Sequence, residues 1–153
     1  MNDEWETPQD LFDALDNIYR FDFDAACTKA NCKCKGGAVS EIVNSLELDW
    51  HRISKSIWLN PPYSRGNINK FMKKAWEESQ EGCTVVCLVR FDPSAKWYQK
   101  YVYDKAAEVL MLARRVKFIG AKSAYNFPCC VVIYYPPDDF YDYLTTYRMW
   151  DWK

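Results

Sequence analysis

Residues Thr84-Val85-Val86-Cys87-Leu88-Val89 form an unbroken apolar run rich in β-branched side chains. A strand with one wet face alternates apolar and polar residues. A continuous run therefore predicts a strand buried on both faces, inside a sheet covered by helices. Helical patterns flank it. Leu11, Phe12, Leu15 and Ile18 follow Thr7 and Pro8. They predict a helix of roughly ten residues, with Thr7 as its cap and Pro8 in its first turn. Trp5-Glu6 before it reads as a short extended piece. Ile68, Phe71, Met72, Ala75 and Trp76 predict a second helix, stopped at Gly82. A third is expected over residues 95–103. Ser56-Ile57-Trp58-Leu59 reads as a buried strand, and Cys130-Val131-Val132-Ile133-Tyr134-Tyr135 as another, ended by Pro136-Pro137. Shorter strands are expected at 21–26, 38–43, 108–112 and 115–119, a polar loop at 28–37 and a helix in the tail at 139–150. Alternating strands and helices predict an α/β domain with a mostly parallel central sheet flanked by helices. A single domain accounts for residues 1–153, with no room for a separate recognition domain.

In such sheets, ligands bind at the carboxyl ends of the strands. Asp24 and Asn60 both end predicted strands, which sets two candidate site residues on one rim. Asn60 opens the run Asn60-Pro61-Pro62-Tyr63, between a buried strand and a helix. The Asn60 side-chain oxygen is a hydrogen-bond acceptor. The Pro61 carbonyl is a second, aimed by a rigid turn. Two fixed acceptors suit an exocyclic amino group. They draw the amine toward tetrahedral geometry, direct its lone pair and stabilise the charge that grows on nitrogen. Tyr63 offers a flat face for a base. Tyr134-Tyr135-Pro136-Pro137 has neither the Asn nor the trailing aromatic and reads as a plain strand stop.

Other chemistries find less support. His51 is the sole histidine and no nucleophile elbow exists, which excludes a Ser-His-Asp hydrolase and leaves His51 as a surface residue. Seven cysteines without a CxxC pair favour reduced, mostly buried thiols and no metal site. Met1-Asn2-Asp3-Glu4 lacks the apolar run of a secretory leader, and no stretch reaches the length of a membrane span. A cytoplasmic protein without membrane partners is expected. The net charge of −1 does not decide for or against nucleic acid. It requires the basic residues to gather on one face, and Lys70, Lys73 and Lys74, then Arg114, Arg115, Lys117 and Lys122, form two clusters.

Taken together, these motifs resemble the phage-type, Dam-like DNA N6-adenine methyltransferases. The likeness runs from Trp5 to Pro137. Trp5-Glu6-Thr7-Pro8-Gln9 with Leu11-Phe12 is similar to the family's opening block, whose implied role is to hold the methionine end of S-adenosyl-L-methionine. Asp24-Ala25-Ala26-Cys27, followed by Asn31, Lys33 and Cys34, looks like its first cofactor strand and loop. Leu48-Asp49-Trp50 resembles the segment whose acid meets the adenosine part of the cofactor. Asn60-Pro61-Pro62-Tyr63-Ser64 matches the catalytic motif. Arg115-Val116-Lys117-Phe118 and Phe127-Pro128 match the closing region. The chain departs from relatives at Asn44 and Ser94, where they tend to carry acids, and it has no GxGxxG.

The resemblance implies a Rossmann-like methyltransferase fold, S-adenosylmethionine as cofactor and double-stranded DNA as substrate. The target base would be flipped out of the duplex. The cytoplasm would be that of a bacteriophage's host. Asn60, Pro61, Pro62 and Tyr63 would be catalytic. Trp5, Thr7, Pro8, Asp24, Ala25, Asn31 and Asp49 would hold the cofactor. Arg65, Arg115, Lys117 and Phe127 would meet DNA. Read from the residues alone, several roles stay open. Thr7 is a cap or a cofactor contact, Asp24 a cofactor contact or a loop cap. Phe127 is a stacking ring or a core aromatic, Arg65 a phosphate contact or a surface charge. Other acceptors fit the same tetrapeptide: cytosine N4, RNA or a protein amide. So does a DNA-binding protein on this fold without turnover.

Overall fold

Among the described residues, Thr84–Arg90 is third of six strands in one sheet, and Val85, Val86, Cys87, Leu88 and Val89 are all fully buried. A computed structural model describes residues 5–27, 31–34, 44–138 and 144–153. Along them come α1 (Gln9–Tyr19), β1 (Phe23–Asp24), α2 (Trp50–Ile53), β2 (Ser56–Leu59), α3 (Asn67–Gln80), β3 (Thr84–Arg90), α4 (Lys96–Tyr101), β4 (Glu108–Leu112), β5 (Cys129–Tyr134) and β6 (Thr146–Trp150). Short 3-10 turns lie at Ser45–Glu47 and Ser64–Gly66. The strand expected at 38–43 lies outside the described residues.

The sheet order is β1-β2-β3-β5-β4-β6. It is mixed, not the mostly parallel sheet that alternation predicts. β1–β2, β2–β3 and β4–β6 pair in parallel, whereas β5 pairs antiparallel with both β3 and β4. The physical reason is the connection. Parallel neighbours need a crossover long enough to return across the sheet. No helix separates β4 from β5. The chain therefore turns back where it stands.

Successive strand residues point to opposite faces. Ile57, Leu59, Val85, Cys87, Val89, Val109 and Val132 pack with Trp50, Phe71, Met72 and Trp97 on one side. Trp58, Val86, Leu88, Leu110, Val131 and Ile133 pack with Leu11, Phe12, Leu15, Val116 and Phe118 on the other. α3 and α4 thus cover one face, while α1 and the β4–β5 connection cover the other. No helix among the described residues is long and apolar enough to cross a membrane.

Several expectations change. The N-cap of α1 is Pro8, and no side-chain hydrogen bond caps the helix, so Thr7 is not its cap. Residues 115–119 form no strand; Ile119 alone bridges Glu6. Of the tail expected to be helical, residues 139–143 lie outside the described residues, and Thr146–Trp150 instead form a strand, β6, on the edge of β4. Its end packs back on the domain, with the Trp152 indole donating to Asp10 at 3.2 Å. His51 is no free surface residue: its Nδ1 lies 2.5 Å from Glu78 Oε2, and Glu78 also pairs with Lys74. Lys73 pairs with Glu77 on the same helix, so two of the three lysines of this first basic cluster are engaged in ion pairs. Cys27 and Cys32 form a disulfide, a departure from all-reduced thiols; Cys34, Cys83, Cys87, Cys129 and Cys130 are free and buried.

Candidate active site

β1, β2 and β3 run the same way, so Asp24, Asn60 and Arg90 come to one rim of the sheet. β5 runs against them, and Cys129 pairs with Arg90. That brings Phe127 and Pro128, just before β5, to the same rim. The Phe91 amide donates to the Pro128 carbonyl at 2.9 Å across it.

Trp5, Glu6, Thr7, Asp24, Ala26, Asn31, Lys33, Trp58 and Asn60 line one narrow cleft. Five residues expected at the site meet there: Trp5, Thr7, Asp24, Asn31 and Asn60. Asn60 Nδ2 donates to the Trp5 carbonyl at 3.3 Å. With the amide held by its nitrogen, its oxygen is left to accept. Trp5 itself is fixed by its ring, which stacks on Phe118 at 5.9 Å and meets Tyr125 edge-on at 6.2 Å.

Asp24 is 3% exposed. Its two oxygens accept the amides of Ala26 (3.2 Å) and Lys33 (3.1 Å). Burial pushes its carboxyl up to about 6, only partly opposed by these hydrogen bonds and the Lys33 charge. The Lys33 amine reaches Gln9 Oε1 at 3.1 Å and Glu6 Oε2 at 3.7 Å, tying the segment after β1 to the opening segment.

Thr7 is buried, and its Oγ1 has no hydrogen-bond partner among the described residues. Buried hydroxyls are rarely left so. A donor or acceptor on a ligand in the cleft would complete it. Thr7→Val is therefore expected to leave stability unchanged or slightly raised, whereas loss of a true cap costs about 1 kcal/mol. Thermal unfolding distinguishes the two.

Beyond the cleft, the Tyr63 hydroxyl accepts the Arg90 amide at 2.7 Å, and its ring meets Trp97 edge-on at 6.3 Å. The Arg90 guanidinium lies 4.8 Å from the Tyr63 ring centre and 5.5 Å from that of Phe127. Phe127 is 53% exposed, so it is a rim aromatic rather than a core one. Arg115 donates to the Asn126 carbonyl, and Lys117 is exposed on the same connection. Arg65 is exposed with φ +56, in the turn after the tetrapeptide.

Three expected cofactor residues do not line the cleft. Pro8 caps α1, with its carbonyl accepting the Phe12 amide. Ala25 is buried in the core. Asp49 is more than half exposed and pairs with Arg52 at 3.6 Å. Asn44, one of the departures, caps the Ser45–Glu47 turn through Oδ1. The residue that sequence reading missed is Arg90. Its signal was a cation closing the most apolar strand.

The family model for DNA N-6-adenine-methyltransferase (Dam) matches residues 1–139. A DNA N-6-adenine-methyltransferase of Escherichia phage T1 is 34% identical over 113 residues, which are 73% of this chain and 45% of that protein. One of Haemophilus phage HP1 (strain HP1c1) is 32% identical over 121 residues, 77% of this chain and 67% of that protein. This chain thus spans less than half of the phage T1 protein. The tetrapeptide, the opening segment and the rim that joins them all fall within the matched residues, and the chain belongs to the DNA N-6-adenine-methyltransferase (Dam) family.

Proposed function

We propose that this chain is a single Rossmann-like methyltransferase domain that transfers the methyl group of S-adenosylmethionine to the N6 amine of a flipped adenine in double-stranded DNA. The observation that carries this reading is the anchored amide of Asn60. Its nitrogen is engaged by the Trp5 carbonyl, which leaves its oxygen to accept. Family membership supports the same chemistry.

S-adenosylmethionine supplies an electrophilic methyl on a sulfonium. The polar lining of the cleft suits the charged end of such a ligand. The orphaned Thr7 hydroxyl stands at its wall, beside the buried Asp24 carboxylate, whose oxygens accept the Ala26 and Lys33 amides. Asp24 would accept hydrogen bonds from the cofactor's donors, and Thr7, Asn31 and Lys33 would meet its polar end. Asn60 Oδ1 and the Pro61 carbonyl accept the two N–H groups of the adenine amine. They direct its lone pair and stabilise positive charge as it develops. No covalent enzyme intermediate is needed, so the free cysteines have no catalytic role. All five are buried, and burial raises their pKa, which keeps them as thiols. Phe127, Arg65, Arg115 and Lys117 would meet the base and the phosphates.

The test is transfer of labelled methyl from S-adenosylmethionine to unmethylated duplex DNA, followed by nucleoside analysis. N6-methyladenine is expected. N4-methylcytosine would keep the Asn60 mechanism and change the substrate. A folded protein that binds DNA without any transfer would refute the enzyme reading.

A further inference from the structure

Arg90 ends β3 on the catalytic rim, and nothing in the proposed methyl transfer uses its side chain. It is nevertheless firmly held. Its amide donates to the Tyr63 hydroxyl at 2.7 Å. Its guanidinium lies against the rings of Tyr63 and Phe127. The guanidinium also lies near the Tyr125 hydroxyl. Yet Arg90 Nε is buried with no hydrogen-bond partner among the described residues. Leaving a buried cationic donor unpaired costs more than leaving a neutral one. The site carries that cost at the point where three aromatic residues of the rim converge.

The missing partner follows from what the rest of the site provides. Asn60 and Pro61 offer acceptors only, and they account for the two N–H groups of an exocyclic amine. The adenine ring presents acceptors on either side of that amine, N1 and N7. Neither Asn60 nor Pro61 can donate to them in this arrangement, since Asn60 Nδ2 is taken by Trp5. Two buried donors lack partners among the described residues: the Thr7 hydroxyl lines the cleft proposed for the cofactor, and Arg90 Nε–H lies beside the Tyr63 and Phe127 rings. We propose that Arg90 is a specificity-determining residue, which donates its Nε–H to a ring nitrogen flanking the reactive amine of the flipped adenine. This rests on the reading of Asn60 given above. It adds a donor to a set of acceptors, and so asks the base for a ring acceptor as well as an amine.

The test uses the full chain and duplexes carrying the mapped target, with the target adenine kept, or replaced by 7-deazaadenine or 1-deazaadenine. Each analogue keeps the amine and turns one flanking ring nitrogen into C–H. One of the two is expected to lower wild-type kcat/KM about tenfold to a hundredfold, the range for losing a hydrogen bond to a charged group. Arg90→Met keeps the apolar stem, and Arg90→Lys keeps the charge. Both are expected to lose a similar factor on adenine and to show no further loss on that analogue. A merely structural role, bracing Tyr63 and Phe127, would lower all three substrates alike and leave the analogue effect intact, and that result overturns the proposal. Tighter entry of an extrahelical 2-aminopurine in the variants would also overturn it, making Arg90 a plug in the slot. Should a variant fail to fold by near-ultraviolet circular dichroism, wild type alone still decides against the proposal if both analogues match adenine. If wild type transfers no methyl to adenine in any duplex, the reading of Asn60 fails and the role of Arg90 falls with it. Transfer to adenine without discrimination removes Arg90 alone.

Discussion

Asn60→Ala is expected to lower kcat by about 10²–10³-fold while the protein stays folded. This is the range for removing one preorganised polar group aimed at developing charge. Among the described residues the side chain makes one hydrogen bond, to the Trp5 carbonyl, so the stability cost should be that of one net hydrogen bond, about 0.5–1.5 kcal/mol. Single-turnover methylation and a denaturant melt measure the two quantities separately. A variant that keeps near-normal turnover would show that Asn60 is not the acceptor. Asn60→Asp tests the same point differently. A carboxylate still accepts from the amine, but it can no longer donate to the Trp5 carbonyl, and it sets two oxygens against each other.

The second large effect concerns Asp24. Asp24→Ala is expected to weaken S-adenosylmethionine binding about tenfold to a hundredfold by calorimetry, as loss of a charged hydrogen-bonding group would. In the wild type the same affinity should fall as pH drops below about 6, where the carboxyl takes up its proton. Asp24→Asn should lose that dependence. The consequence for stability has the opposite direction. The folded-state pKa is raised by burial from 3.8 to about 6, so the folded chain binds the proton more tightly than the unfolded one. Stability contributed by this group is therefore lost as pH rises from about 4 to about 6, by at most about 3 kcal/mol. A charge kept buried against the fold's own interest is what a binding site requires. Affinity unchanged in Asp24→Ala would leave the two backbone amides at Ala26 and Lys33 as its whole purpose.

Where local pattern decides structure, the sequence was legible. The apolar run at 84–89 became β3, helical spacing gave α1 and α3, and the prolines after Leu59 ended β2. The tetrapeptide and the opening block led to Asn60, Trp5 and Thr7, which share a cleft. What escaped depends on contacts distant in sequence. The tail, with Tyr147, Met149 and Trp150, is aromatic enough for either helix or strand, and only the free edge of β4 makes it a strand. The direction of β5 follows from the missing crossover rather than from its own residues. Arg90 reads as an ordinary strand end until Tyr63, Tyr125 and Phe127 close around it. Asp49 shows the reverse. Its place in the motif suggested the cofactor, but an exposed pair with Arg52 is what the fold gives it.

The lone antiparallel strand has a further consequence. Because β5 reverses, the connection leaving Leu112 and the one entering Cys129 open on the rim that bears Asn60. Val116 and Phe118 pin the first half of this connection to the core, whereas residues 122–124 stand in solvent. Lengthening that exposed tip shifts no strand register. Its entropic cost grows slowly, by about 0.6 kcal/mol for each doubling of a flexible loop. Evolution can thus rewrite the part of the molecule proposed to meet DNA by insertion and deletion, while Asp24 and Asn60, at the ends of parallel strands, keep their mutual geometry. Target preference and chemistry can then diverge at separate rates within one small chain.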